Sequence, residues 1–93
     1  MADQFCDNEA QSRFELDVAG IVAFVDYRKS PGAITLVHTE VPKALGGQGV
    51  GSRLARATLD AVRAQGRKAK VECEFLQAFM AKNPVYGDLL EAR

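Results

Sequence analysis

From Arg13 the chain alternates, with Phe14, Leu16 and Val18 on one side and Arg13, Glu15 and Asp17 on the other. A period of two belongs to a strand with one face on a core and the other toward water. Gly20 makes a tight connection to Ile21-Val22-Ala23-Phe24-Val25-Asp26-Tyr27-Arg28, which is β-branched and aromatic enough for a second strand. Pro31-Gly32 suits a type II turn and hands the chain to a third strand, from about Ala33 to Val41. Three sequential strands joined by short turns predict an antiparallel meander. Val41-Pro42 ends it, because proline has no N–H for a ladder and holds its predecessor extended.

After the run Gly46-Gly47-Gln48-Gly49-Val50-Gly51 the period changes. Val50, Leu54, Ala57, Thr58, Ala61 and Val62 recur at spacings of three and four, while Arg53, Arg56, Asp60, Arg63 and Gln65 lie mostly elsewhere on the wheel. This predicts an amphipathic, Ala-rich helix of about 15 residues, with Gly66 as its stop. Lys68 to Cys73 reads as a fourth strand, and Glu74 or Phe75 to about Lys82 as a second helix ended by Asn83-Pro84. Tyr86, Leu89 and Leu90 give the tail something to dock with. Residues 1–10 are polar and unpatterned and predict a loose lead-in. The order β-β-β-α-β-α describes an α/β (α+β) fold in one domain over residues 1–93. A helical crossover returns the chain parallel, so the third and fourth strands run side by side in one direction. The glycine run then leaves the carboxyl end of a parallel strand, where open α/β sheets bind ligands.

Composition narrows the classes. The 93 residues are 47% hydrophobic and 26% charged, an ordinary globular balance with room for one small core. Lys plus Arg and Asp plus Glu are both 12, so the basic excess that drives phosphate-backbone binding is missing and nucleic acid is not an expected partner. The cations Arg53, Arg56, Arg63, Arg67, Lys68 and Lys70 gather in the middle and later part, as a local anion site or as a solvated helix face. Cys6 and Cys73 lie far apart with no CxxC spacing and His38 is the one histidine, so no metal site is expected. Separate thiols, no apolar run of about 20 residues and no signal core in MADQFCDNEA point to a cytoplasmic protein away from membranes.

Four glycines in six positions carry an entropic cost unless the chain needs unusual dihedrals or close approach to its backbone. Between a strand and a helix, the loop amides and the unpaired first amides of the helix make a concave donor surface suited to a phosphate or diphosphate. Arg53, in the first helical turn, is placed to add a charge-assisted contact. The bland alternative is a turn that merely needs positive φ. No Gly-Lys-Ser/Thr comes after it, so the run is not a P-loop, and its position in the chain does not suit a dinucleotide fingerprint.

The ordered set His38-Thr39-Glu40-Val41-Pro42, Leu45 to Gly51, Leu54, Cys73, Phe75 and Asn83-Pro84-Val85-Tyr86 resembles the short GNAT-like acetyltransferases of the YjdJ type, over roughly Phe14 to Leu90. The resemblance implies a minimal GNAT-like fold lacking the early helices that hold the acceptor in larger relatives. It implies an acetyl-coenzyme A-dependent N-acetyltransferase whose acceptor is an amine, such as a protein lysine or a polyamine. The alternative is a coenzyme A-binding module with little or no transferase activity that serves a protein partner; a monomer or a weak homodimer fits either. The family's loop pattern is Gln/Arg-x-x-Gly-x-Gly/Ala. Gly49 and Gly51 match its end, and Gly46 stands where Arg or Gln is expected, which removes a side-chain contact and leaves the amide donors. The implied cofactor-binding set is Val41, Gly46, Gly47, Gln48, Gly49, Val50, Gly51, Arg53 and Asn83, with the pantetheine arm between the splayed third and fourth strands near Glu40 and Val41. Asn83 is equally suited to capping its helix.

Amine acetylation needs a polarised thioester carbonyl and a route for protons. His38 and Glu40 share a face by strand alternation and are candidate proton relays, their alternatives being a hydrogen-bonded histidine and a rim carboxylate. The resemblance adds Cys73, at the end of the fourth strand, as nucleophile or as acid for the departing thiolate. A helix N-terminus favours a thiolate there while Glu72 and Glu74 oppose it, and a plain buried thiol is the alternative. Many members protonate the leaving group with a tyrosine on the last helix, where this chain has Phe79 and Met80. Tyr86 reads as a tail anchor.

Overall fold

The alternation from Arg13 is the second strand of the sheet in a computed structural model that describes residues 3–90. Five strands, β1 (Gln4–Asn8), β2 (Arg13–Val18), β3 (Ile21–Ser30), β4 (Ala33–Glu40) and β5 (Lys68–Val71), form one sheet in the order β1-β2-β3-β4-β5. Helix α1 (Val50–Ala64) makes the crossover from β4 to β5, and α2 (Glu74–Lys82) comes after β5. The first four strands are antiparallel to their neighbours and β5 is parallel to β4, as the predicted crossover requires.

Turn chemistry sets the meander. Ala19 and Gly20 both take positive φ, 53° and 88°, the geometry of a two-residue hairpin whose twist matches its strands. Asp17 holds the turn by accepting the Gly20 N–H at 2.8 Å. Phe14 and Leu16 from β2, Ala23, Val25 and Tyr27 from β3, and Leu36 from β4 are buried on the face that meets the helices. The buried stripe of α1 is Val50, Leu54, Ala55, Thr58, Leu59 and Val62. It sits one position round from the predicted stripe, so that Leu59 and Ala55 enter the core and Ala57 and Ala61 sit at its border. The tail docks on α1 through two of the three expected residues: Tyr86 and Leu89 are buried while Leu90 stays exposed, the Tyr86 hydroxyl donates to Asp60 at 2.9 Å, and Arg63 meets Asp88 at 2.7 Å.

The expected loose lead-in is corrected, because Gln4–Asn8 pairs with β2 from Gln4↔Asp17 to Asn8↔Arg13. Phe5 alone gives no readable period, and partners that arrive from elsewhere hold the strand. Its ring stacks on Phe14 with centroids 5.8 Å apart, and Asp7 accepts from the Tyr27 hydroxyl and faces Lys29 at 3.7 Å. The other face of the sheet carries Arg13, Glu15 and Asp17 on β2, Phe24, Asp26 and Arg28 on β3, and His38 and Glu40 on β4, with no helix over them among the described residues.

On that face Arg13 Nε donates to Glu15 at 2.6 Å and Asn8 donates to it at 3.0 Å. The Arg13 bond holds the Glu15 carboxyl below its ordinary value of 4.5, against the opposing effect of desolvation. A carboxylate lowered in the folded state stabilises the fold above its unfolded value and loses that contribution as pH falls through the folded one. The melting temperature is therefore expected to decline on acidification below about pH 4.5. Thermal melts should show a shallower decline over that range in Glu15→Gln than in the parent chain.

Candidate functional site

Strands β4 and β5 pair from Ala33↔Lys68 to Leu36↔Val71, and the last bond across them is from the Glu72 amide to the Leu36 carbonyl at 2.9 Å. Beyond it β4 runs on through Val37 to Glu40 beside β3, while β5 stops, so the two part. The β3–β4 register slips at this point: Tyr27 faces Leu36 and Asp26 faces His38, leaving Val37 without an opposite residue. The slip re-aims the last three residues of β4. Thr39 lies opposite Val25 on the helix side, and His38 and Glu40 lie opposite Asp26 and Phe24 on the open side.

The chain then leaves through Val41 and Pro42 and a short 3-10 turn, Lys43–Leu45, into the glycine run. Gly47 and Gly49 take φ of 75° and 70°, in the left-handed region, and Gly49 caps α1. The first intrahelical bond is from the Arg53 amide to the Gly49 carbonyl at 3.1 Å, so the amides of Val50, Gly51 and Ser52 precede the ladder. A cavity of about 290 Å³ opens onto these groups, walled by Val41, Leu45, Gly46, Gly47, Gly49, Val50, Gly51, Ser52 and the ring of Phe75. A Cβ on Gly51 would stand 2.8 Å from Phe75 Cζ, so the ring occupies the place that a side chain would take. A concave surface of glycine backbone at a helix start, where the first amides have no intrahelical partner, fits a diphosphate group. Phe75 itself is 42% exposed, whereas Leu76, Phe79 and Met80 of the same helix are buried.

Three members of the expected binding set, Gln48, Arg53 and Asn83, do not wall the cavity. Arg53 Nε donates to Asp3 at 2.6 Å and its Nη1 to the Gln48 carbonyl at 2.6 Å, which ties the Arg53 side chain to the N-terminal segment. Asn83 Nδ2 donates to the Phe79 carbonyl at 2.8 Å and closes the end of α2, the capping role.

The three residues of candidate chemistry meet at the divergence, split by the sheet. His38 Nε2 and Glu40 Oε1 lie 3.1 Å apart on the open face, with side chains 56% and 53% exposed. Cys73 is 8% exposed at the N-cap of α2, and its Sγ–H donates across the gap to Thr39 Oγ1 at 3.1 Å. Thr39 carries no chemical signal of its own in the sequence. Alternation alone separates it from His38 and Glu40, but its meeting with Cys73 depends on the parting of two strands. Among the described residues no group of three or more His, Cys, Asp or Glu could hold a metal ion, and no helix is long and apolar enough to cross a membrane.

The profile of the GCN5-related N-acetyl-transferase family matches residues 13–89. Protein NATD1 of Bos taurus is 42% identical over 52 residues, covering 56% of this chain and 46% of that one. Protein NATD1 of Homo sapiens is 40% identical over 52 residues with the same coverage. The chain thus spans about half the length of the curated relatives it matches. A GCN5-like protein of Staphylococcus aureus, solved in solution by NMR and proposed to be an N-acetyltransferase, superposes with a TM-score of 0.72 at 26% identity, over 97% of this chain and 89% of that one.

Proposed function

Since the chain belongs to the GCN5-related N-acetyltransferase family, we propose that it transfers acetyl from acetyl-coenzyme A to an amine, with its glycine loop on the diphosphate and the β4–β5 divergence around the thioester arm. The observation that carries this reading is the cavity bordered by Val41, the glycine run and the start of α1, whose first amides precede the helix ladder, set beyond the point where the two parallel strands part. Acetyl-coenzyme A supplies an activated carbonyl bound to a good leaving group.

The chain's own groups have separate duties. Amides around Gly47, Gly49, Val50 and Gly51 bind the diphosphate oxygens, and Arg53 joins them by exchanging Asp3 for phosphate. Backbone near Val41 positions the arm. The hydrogen-bonded pair His38–Glu40 takes the proton that the attacking amine releases as its C–N bond forms. Cys73 gives its Sγ proton to the thiolate set free when the C–S bond breaks, and solvent returns the proton from the pair to Cys73. This assigns to a thiol the duty that a tyrosine serves in many members, at a position where α2 presents Phe79 and Met80.

The acceptor, a protein lysine or a polyamine, approaches over the open face. Arg13 and Glu15 neutralise one another there and Arg28 pairs with Glu72, which leaves Asp17, Asp26 and Glu40 to favour a cation. Spectra of labelled protein in millimolar coenzyme A are expected to show shifted amides at residues 46–52. Thiol release from acetyl-coenzyme A should rise with basic peptides or polyamines, and intact mass should show no acetyl on Cys73. Silent loop amides would remove the reading, whereas binding without turnover of any amine would leave a coenzyme A-binding module.

A further inference from the structure

The two edges of the sheet are unlike. Beyond β5 the tail makes a parallel bridge, Ala69↔Leu90, and Lys68 and Lys70 put charge along the strand, two features that discourage further pairing. β1 carries no lysine, no proline and no bulge, and among the described residues no strand lies beyond it. The hairpin fixes the phase of its hydrogen bonds. In a two-residue turn the flanking pair, here Val18 and Ile21, exchanges backbone bonds, so Phe14, Leu16 and Val18 turn their N–H and C=O groups toward β3. The bond from the Tyr27 amide to the Ser12 carbonyl keeps that phase. Arg13, Glu15 and Asp17 turn theirs toward β1, where they meet Asn8, Cys6 and Gln4. Phe5 and Asp7, lying between those positions, turn their N–H and C=O groups outward. On the helix side the rings of Tyr27, Phe14 and Phe5 form a row, with centroids 4.8 and 5.8 Å apart, that ends at this edge.

We propose that β1 is a homodimer seam whose occupant is β1 of a second copy, antiparallel about a two-fold axis that stands normal to the sheet at Cys6. This register uses the whole strand: Gln4 meets Asn8 of the second copy, Phe5 meets its Asp7, and Cys6 meets its Cys6. Phe5 and Asp7 then form hydrogen-bonded pairs through their outward groups, and Cys6 faces its counterpart in a non-hydrogen-bonded pair with Cα atoms about 4.5 Å apart. Registers centred on Phe5 or Asp7 keep the phase but pair fewer residues, and the second sets carboxylate against carboxylate. With the axis at Cys6 both helix layers lie on one side of a continuous sheet. The two Phe5 rings become diagonal neighbours, so the aromatic row runs on into the second copy. Lys29, 3.7 Å from Asp7, offsets its charge at the seam. A seam of one short strand buries less than the roughly 1,200 Å² of a standard interface, so the dimer is weak, with a Kd on the order of 100 μM.

Sedimentation of the full chain from about 10 μM to about 1 mM is expected to show the mean mass rising from one chain toward two. Over the same range the Phe5 and Asp7 amides should shift and gain protection from exchange, while the Cys6 amide, already bonded to β2, moves less. Phe5→Glu, which sets a carboxylate opposite Asp7 of the second copy, should hold the chain monomeric. Because that ring also packs on Phe14, thiol crosslinking checks the register without it. In a Cys73→Ser background, diamide takes the hydrogens of two exposed Cys6 thiols as the S–S bond forms, and linked dimer should accumulate. Gln4→Cys and Asn8→Cys, each with Cys6→Ser added, should link to themselves about tenfold more slowly yet link readily to one another when mixed. Monomer mass at every concentration would overturn the proposal, as would Gln4→Cys linking to itself as fast as Cys6 does.

Discussion

A chain carrying Gly47→Val and Gly49→Val is expected to lose coenzyme A affinity by on the order of 100-fold or more. Both positions sit in the left-handed region, at φ of 75° and 70°, where a β-branched residue is a strong outlier. Space is not the obstacle. A Cβ on Gly47 meets nothing within 4 Å, and one on Gly49 only Arg53 Nη1 at 3.7 Å, so the strain lies in the dihedrals. Left-handed geometry costs roughly 1–2 kcal/mol at each such residue, and the loop relaxes toward negative φ to escape it. The amides then turn from the cavity, and each charge-assisted bond lost removes about 1.5–3 kcal/mol. Titration of folded variant, checked by its near-ultraviolet dichroism, gives the measurement. Affinity within threefold of the parent chain would show that the loop conformation does not make the site.

Removing either member of the His38–Glu40 pair is the second large effect. Glu40→Gln and His38→Asn are each expected to lower kcat by on the order of 100-fold to 10,000-fold, the range that a positioned acid or base supplies. Both side chains are more than half exposed and bond to one another, so the fold has little invested in them. Stability should stay within about 0.5 kcal/mol. Coenzyme A affinity should be unchanged, because neither residue walls the loop cavity. A split of this kind, with kcat falling and binding and melting intact, separates a proton relay from a structural pair. If each variant kept a third or more of the parent kcat, the amine's proton would leave by another route.

Much of the scaffold behind these variants is legible locally. The alternation in β2, the Pro31-Gly32 turn, the period change at Val50 and the stop at Gly66 each report dihedrals or burial within a few neighbouring residues. The glycine run announces its own conformation, since Gly47 and Gly49 do take positive φ. The stripe of α1 lies one position away from its apparent period because several alanines match either face and only packing against β2 and β3 selects one.

The amino-acid sequence by itself determined the order of strands and helices from Arg13 onward, the parallel return of β5 and the place of the loop at the end of β4, because periodicity and turn chemistry act over short stretches of chain. Tertiary structure alone decided how the site is assembled. It brought Cys73 to Thr39 across 34 positions and Arg53 to Asp3 across 50, and built β1 from a segment with no pattern of its own. The slip at Val37, which sets Thr39 behind the sheet toward Cys73 and His38 and Glu40 in front of it, is likewise a property of strand pairing. Such contacts depend on which surfaces meet once the core is packed, and no local window contains both partners.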